Sequence, residues 1–510
     1  MLVTGETARE LWRARVADTP AAPFVVEGGR TLSFAEADGA MLRIAGALRA
    51  AGVEAGTRVL VGLPNATRTV LVHAALRELG AVIVPLLPGL RLPELTFQIE
   101  HSQATVLVAG DPIASILAPA LDEFPGLTRL ALEDLDGHAP IAPGAELPGH
   151  GPDSPWAILY TSGSTGRPKG VVLPSGAFVN GGACYADRFA IGSDDNLLVA
   201  TPIAHAVGAL TLPSMALRAG CRMTVVDRFS PSRFWDDVAA GGATATILFP
   251  AQLNLLLQLD GGPAAGASTL RLVITHAWVA PFRERFGVEL GLCWGMTETG
   301  AAGTGTPVGY HGSGDGCVGT AMRGVQLSIR DDAGRPVPAG TEGALCIRND
   351  HQMLGYLDDA AATASTIVDG WLHSGDRAVL DEQGRLFYRG RLKNMIKRSG
   401  ENISPEEVEA VLDAHDGVEE SLVLGVADAL RTEEVVAVVA SRAGARVDAE
   451  ALAAHVGAQL ARWKAPRYIR VSPEPLPRLA NGKIDRLGVL AALDLDACWD
   501  ARATSGEAAR

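Results

Sequence analysis

The sequence predicts an α/β protein with a large N-terminal domain of parallel-sheet αβα layers, a β-rich subdomain attached to it, and a small α+β C-terminal domain. Three observations carry this. The chain has 510 residues, too many for a single core. Helical and strand patterns alternate along most of it, which implies βαβ units. The texture then turns strand-rich after about residue 310 and changes again near 393.

The elements follow in order. Apolar residues at helical spacing over 33–51 predict a helix, 58–63 a strand, 66–79 a helix and 80–85 a strand. Short apolar runs at 194–200, 222–226 and 245–249 predict further strands of the same kind. Beyond 310, strands at 325–330 and 343–347 flank the turn Asp331-Asp-Ala-Gly334. A strand at 384–391 leads to Lys393, after which the pattern is helix (405–414), strand (421–426), strand (434–441) and helix (448–460). The expected domains are therefore 1–392 and 393–510, with no internal repeat.

Composition narrows the function classes. Hydrophobic residues make up 47% and charged residues 20%, which excludes a disordered chain. A net charge of −14 disfavours nucleic acid or an anionic membrane as partner. No run approaches the roughly 18 apolar residues of a membrane span. The N-terminal residues lack a cationic leader followed by an apolar run. Six scattered cysteines form no CxxC pair and no metal-type cluster. Reduced thiols in a cytoplasmic protein are the expectation, and nothing marks the oligomeric state.

One loop stands out. Leu159-Tyr-Thr-Ser-Gly-Ser-Thr-Gly-Arg-Pro-Lys-Gly170 lies between two apolar runs. Its glycines free backbone N–H groups to face a ligand, its hydroxyls add donors, and Lys169 adds a point charge. That chemistry suits a polyphosphate, although the loop is not a Walker A sequence. Composition alone leaves an ordinary Gly/Ser loop equally open.

The loop resembles the phosphate-binding loop of the adenylate-forming superfamily, which includes acyl-CoA synthetases, adenylation domains and luciferases. Four further segments resemble that superfamily's motifs in the same order: Trp294-Gly-Met-Thr-Glu298-Thr, Trp371-Leu-His-Ser-Gly-Asp376, Gly390-Arg-Leu-Lys393-Asn-Met-Ile-Lys397 continuing to Glu409, and Leu476-Pro-Arg-Leu-Ala-Asn-Gly-Lys483-Ile-Asp-Arg486. The likeness runs from Leu32 to about Leu490. It identifies the chain as a member of the acyl-CoA synthetase branch, with ATP, Mg²⁺ and CoA as the small molecules used.

The resemblance implies a role for each matching residue. Thr161, Ser162, Gly163, Ser164, Thr165, Gly166 and Lys169 would hold the β- and γ-phosphates. Glu298, with Thr161, would bind Mg²⁺. Trp294, Gly295, Met296 and Thr297 would line the nucleotide, with the indole stacked on adenine and Thr297 at the α-phosphate. Asp376 would accept from the ribose hydroxyls beside Arg391; in isolation, a turn-capping Asp is the plainer reading. Lys483 would stabilise the adenylation transition state. Lys393 would be the hinge about which a mobile C-terminal domain turns between two half-reactions. Gly400, Lys397 and Arg398 would then line the CoA path, the two cations meeting its phosphates.

The sequence departs from the family around Thr275-His276-Ala277-Trp278, where a Gly-Gly-Ala-Pro turn is usual. His276 and Trp278 either narrow the acid pocket formed with His205, Thr275, Ala277 and Gly295, or the chain reroutes and Trp278 packs in the core. His205 matches the family's position near the substrate carboxylate and reads otherwise as a core histidine. No Asp is placed to pair an α-ammonium, so an α-amino acid is not expected.

The leading expectation is ATP-dependent activation of a small carboxylic acid to an acyl-adenylate, followed by transfer to the CoA thiol. A second is adenylation for another acceptor: a carrier-protein thiol in trans, an amine, or an arylamine attacked by an activated oxyanion such as nitrite. A third, from a different class, is an inactive nucleotide-binding regulator.

Overall fold

A computed structural model describes residues 6–143, 150–161, 168–312, 314–391, 395–442, 444–478 and 484–504. The expected alternation is present. The helices Phe34–Ala50 and Thr67–Glu78 and the strands Arg58–Gly62 and Val82–Pro85 fall where the periodicity places them. Ser33 opens the first helix because its hydroxyl accepts from Glu36 N while the Glu36 carboxylate accepts from Ser33 N.

Two large sheets stack with helices between and outside them. The seven-stranded sheet carries parallel strands Arg58–Gly62, Val82–Pro85, Val106–Ala109 and Thr128–Leu130, extended by the hairpin Pro155–Thr161 and Lys169–Pro174. The 14-stranded sheet has a parallel centre of Asn196–Val199, Arg222–Val225, Ala245–Ile247, Leu272–Thr275 and Glu289–Trp294. Helices Thr67–Glu78 and Ser175–Arg188 are buried nearly all round, since they share one core with the facing sides of both sheets. Leu92–Ser102 covers the outer face of the smaller sheet, and Phe234–Gly241, Pro250–Gln258 and Ala280–Phe286 cover that of the larger. The result is five alternating layers.

The strand-rich block after residue 310 is less separate than its texture suggests. Thr304–Gly305 pairs antiparallel with Glu289–Trp294, so the strands up to Arg385–Arg391 prolong the parallel sheet. The third sheet, of six strands, starts at Ile396–Arg398 and is built on the long hairpin Val418–Asp428 and Thr432–Ser441. It packs helices Pro405–Asp413 and Ala449–Gln459 over its own core.

Candidate active site

Open parallel sheets leave a crevice at the carboxyl ends of their strands. Here the chain turns there at Ala200–His205, Phe249–Pro250, His276–Ala277 and Gly295–Glu298. These turns and the first strand of the third sheet enclose a cavity of about 410 Å³. Thr161, His205, His276, Ala277, Trp294, Gly295, Met296, Thr297, Glu298, Asp376, Arg391, Lys397 and Gly400 all line it, so most of the residues singled out from sequence meet in one place.

Asp376 and Arg391 face each other on adjacent strands, in register. Asp376 therefore sits within the strand Trp371–Leu380 and is no turn cap. Arg391 Nε lies 3.1 Å from Asp376 Oδ1, yet neither atom is aligned to hydrogen-bond the other, and both are buried without such a partner. The pair attracts while keeping an acceptor and a donor open, as a diol-bearing ligand requires. Trp294 Nε1 donates to Asp376 Oδ2 at 3.1 Å. Burial raises the Asp376 carboxyl above the usual range, against the lowering effects of Arg391, Lys397, Trp294 and Ser374.

Glu298 is fixed by a 3-10 turn, Thr297–Thr299. Its backbone oxygen accepts from Met353 N at 2.8 Å, and Asn349 Nδ2 holds the next carbonyl at 3.1 Å. Tyr356 donates its hydroxyl to Glu298 Oε1 at 3.0 Å, and burial pushes the carboxyl upward. A buried carboxylate held by one neutral donor suits a cation on its open side. Among the described residues no group of three or more His, Cys, Asp or Glu forms a metal cage.

Thr161 and Lys169 are cross-strand partners at the mouth of their hairpin, the strand–loop–strand arrangement expected from sequence. Ser162, Gly163, Ser164, Thr165 and Gly166 lie outside the described residues, as do Lys393 and Lys483. Lys169 Nζ rests 4.9 Å from the Tyr356 ring centroid, behind Glu298.

Another part of the cavity wall carries His205, Phe249 and His276. Phe249 stands edge-on between the imidazoles, at 5.6 Å from His205 and 5.4 Å from His276. His276 is exposed and lines the cavity. Desolvation, with Lys397 and His205 as unfavourable neighbours, lowers its pKa to about 4, so it is neutral. Tyr185 and Cys293 also line the cavity, both held protonated by burial.

Three expectations need correction. Thr275 and Trp278 stand outside the cavity wall. Thr275 ends its strand fully buried, and Trp278 turns away to pack on Gly312 and against Tyr310. The departure at 276–278 is thus a rerouting for Trp278 and a pocket contribution from His276 and Ala277. Arg398 does not face a ligand either: it is buried and paired to Glu434 at 2.7 Å, with Trp463 O accepting at 2.7 Å. Lys397 is no surface cation, since its ammonium donates to Tyr388 Oη at 2.5 Å and lines the cavity. Sequence reasoning missed Tyr185, Phe249, Cys293, Tyr388 and Asn402. Phe249 had one local signal, the Phe-Pro pair at a strand end; the others look like ordinary core or strand residues.

The AMP-binding enzyme family matches residues 12–357, and the AMP-binding enzyme C-terminal domain matches 407–483. The chain is 31% identical over 504 residues to a sulfoacetate–CoA ligase of Cupriavidus necator, covering 95% of this chain and 97% of that one. An o-succinylbenzoate CoA synthetase double mutant from Bacillus subtilis, bound to its product analogue OSB-NCoA, superposes with a TM-score of 0.86 at 25% identity, over 96% of this chain and 99% of that one. The amide bond synthetase McbA from Marinactinospora thermotolerans gives 0.85 at 27% identity, over 94% and 99%. The chain belongs to the AMP-binding, adenylate-forming enzymes, in their acyl-CoA synthetase branch.

Proposed function

We propose that the protein activates an uncharged aromatic or otherwise apolar carboxylic acid with ATP and transfers the acyl group to CoA. The observation that carries this is a single cavity with two chemistries: Asp376, Arg391, Trp294 and Glu298 at one end, and neutral His276, Phe249, Tyr185 and Cys293 at the other. Among the described residues lining the second end there is no carboxylate for a quaternary ammonium, and the cation nearest His276, Lys397, is already engaged by Tyr388 Oη. That end offers aromatic edges and neutral hydrogen-bonding groups.

In the first half-reaction a carboxylate oxygen bonds to the α-phosphorus of ATP, and the bond to the bridging oxygen breaks to release pyrophosphate. The Asp376–Arg391 pair holds the ribose, and Trp294 keeps the Asp376 carboxylate oriented. Glu298 would hold Mg²⁺, which offsets phosphate charge. Lys483 is proposed as the cation at the α-phosphate and Lys393 as the hinge between domains 1–392 and 393–510; the start of the third sheet at Ile396 supports that division. In the second half-reaction the CoA sulfur attacks the acyl carbonyl, AMP leaves, and the thiol proton passes to solvent. Lys397, whose ammonium bonds Tyr388 Oη and which lines the cavity, would balance charge on the departing phosphate. Six free cysteines support a cytoplasmic place for the enzyme, and no described helix is long and apolar enough to cross a membrane.

The test is AMP release over a panel of aryl, aliphatic, sulfonated and quaternary-ammonium acids, with and without CoA. Turnover with aryl acids that requires CoA is expected; turnover only with charged acids would refute the acid assignment. The likeness to an amide bond synthetase favours a second reading, in which an amine accepts the acyl group. Product formed with an amine and not with CoA would select it.

A further inference from the structure

Away from the cavity, a buried ion cluster joins the N-terminal layers to the third sheet. Lys464, in the short helix Arg462–Lys464, donates at 2.8 Å to Glu94 Oε1 and at 2.8 Å to Glu407 Oε1. Glu407 lies on Pro405–Asp413, in the same unit as the lysine. Glu94 lies across the divide, in the first turn of Leu92–Ser102. The side chains are only 8% and 5% exposed, so this is no solvent-screened surface pair.

The neighbouring residue makes the same crossing. Trp463 packs at once on the core beneath the seven-stranded sheet and on the core of the third sheet. A Cβ at Gly89 would lie 2.8 Å from Trp463 Cζ3, and Gly89 has φ +88°, so glycine alone admits the indole there. Arg398 anchors the segment from its own side by donating to Trp463 O and Ala465 O.

We infer that Trp463 and Lys464 form a plug, and Gly89 and Glu94 its socket: a latch that holds the C-terminal unit where Lys397, Gly400 and Asn402 close the cavity, and that opens for adenylation. This rests on the two-half-reaction reading above. The described residues flanking Lys483 support it, since Arg478 and Arg486 bind Glu420 and Glu409 on the third sheet's own unit and contribute nothing to the cavity wall. The arrangement also superposes on a synthetase carrying a CoA product analogue.

The cluster's composition suits a reversible contact. On opening, Lys464 keeps Glu407, so no buried ammonium is stranded, and Glu94 returns to water. Glu94 stays oriented in either state because its Oε2 accepts from Arg91 N at 2.9 Å. Glu94 is therefore a positioning residue for acyl transfer and has no part in the chemistry.

The test is Glu94→Gln, which keeps an acceptor for Arg91 N and removes the charge. Transfer from preformed acyl-adenylate to CoA in a single turnover is expected to fall about ten-fold or more, because the amide NH2 then faces the Lys464 ammonium and the charge-assisted bond across the divide is lost. Acid-dependent ATP–pyrophosphate exchange is expected to stay level or rise. Gly89→Ala, which crowds the indole, is expected to give the same split and serves if the first variant folds poorly. Equal losses in both half-reactions, or no change in either, would overturn the latch. If the wild-type protein transfers no acyl group to CoA, the ligase reading fails separately. Hydrogen exchange of helix 92–102 in the ligand-free protein then decides the latch: faster exchange in Glu94→Gln supports it and unchanged exchange overturns it.

Discussion

Trp294→Phe isolates one hydrogen bond at the heart of the proposed nucleotide site. Phenylalanine keeps an aromatic face toward the cavity but removes the N–H that meets Asp376 Oδ2 at 3.1 Å. Asp376 is 2% exposed, so water does not replace the lost donor. A hydrogen bond to a buried charged group contributes about 1.5–3 kcal/mol, or about 10- to 150-fold in the kcat/KM for ATP if the bond orients the carboxylate in the transition state. The lost donor also lets the Asp376 pKa rise further, since the indole is one of the groups lowering it. The acid limb of the pH profile therefore moves to higher pH. The assay is acid-dependent pyrophosphate release at varied ATP between pH 5 and 9, with the melting temperature as a folding control. An ATP dependence and acid limb both matching the wild type would refute the coupling of Trp294 to ribose recognition.

Two further outcomes follow from the same geometry. Asp376→Asn removes a carboxyl whose folded-state pKa is raised, so at neutral pH ionised Asp376 destabilises the ligand-free fold. The variant is expected to melt higher than wild type at pH 7, with the gap closing as pH falls through the raised pKa toward the ordinary carboxylate value, while ATP-dependent activity is lost; an unchanged or lower melting temperature at pH 7 would count against the burial account. In Gly400→Ala a Cβ would lie 2.5 Å from Phe249 Cδ2, at a φ of +93°; acyl transfer to CoA is expected to fall at least ten-fold with pyrophosphate exchange retained, and equal losses in both would show a general packing defect instead.

Much of this protein was legible in sequence because its signals are local. Alternating periodicities locate strands and helices, as at Arg58–Gly62 and Thr67–Glu78, since amphipathicity is written every two or 3.6 residues. The loop at 159–170 and the segments around Glu298, Asp376 and Lys483 carry their chemistry in consecutive residues, so the family, and the nucleotide end proposed for the site, could be read directly. The chain order alone also predicted that strands would cluster after residue 310.

Tertiary structure decided what no local pattern encodes. Whether His276 or Trp278 enters the pocket depends on a backbone turn that sends one toward Phe249 and the other toward Tyr310. Arg398 and Lys397 are adjacent cations with opposite fates, because successive residues of a strand point to opposite faces: one meets Glu434 and the other the cavity. Lys464 finds Glu94 across 370 residues, a pairing that exists only once two folded units dock. Residue types and their spacing set the chemistry this chain can perform; the surfaces that folding brings together set which groups stand neutral, charged or free to receive a substrate.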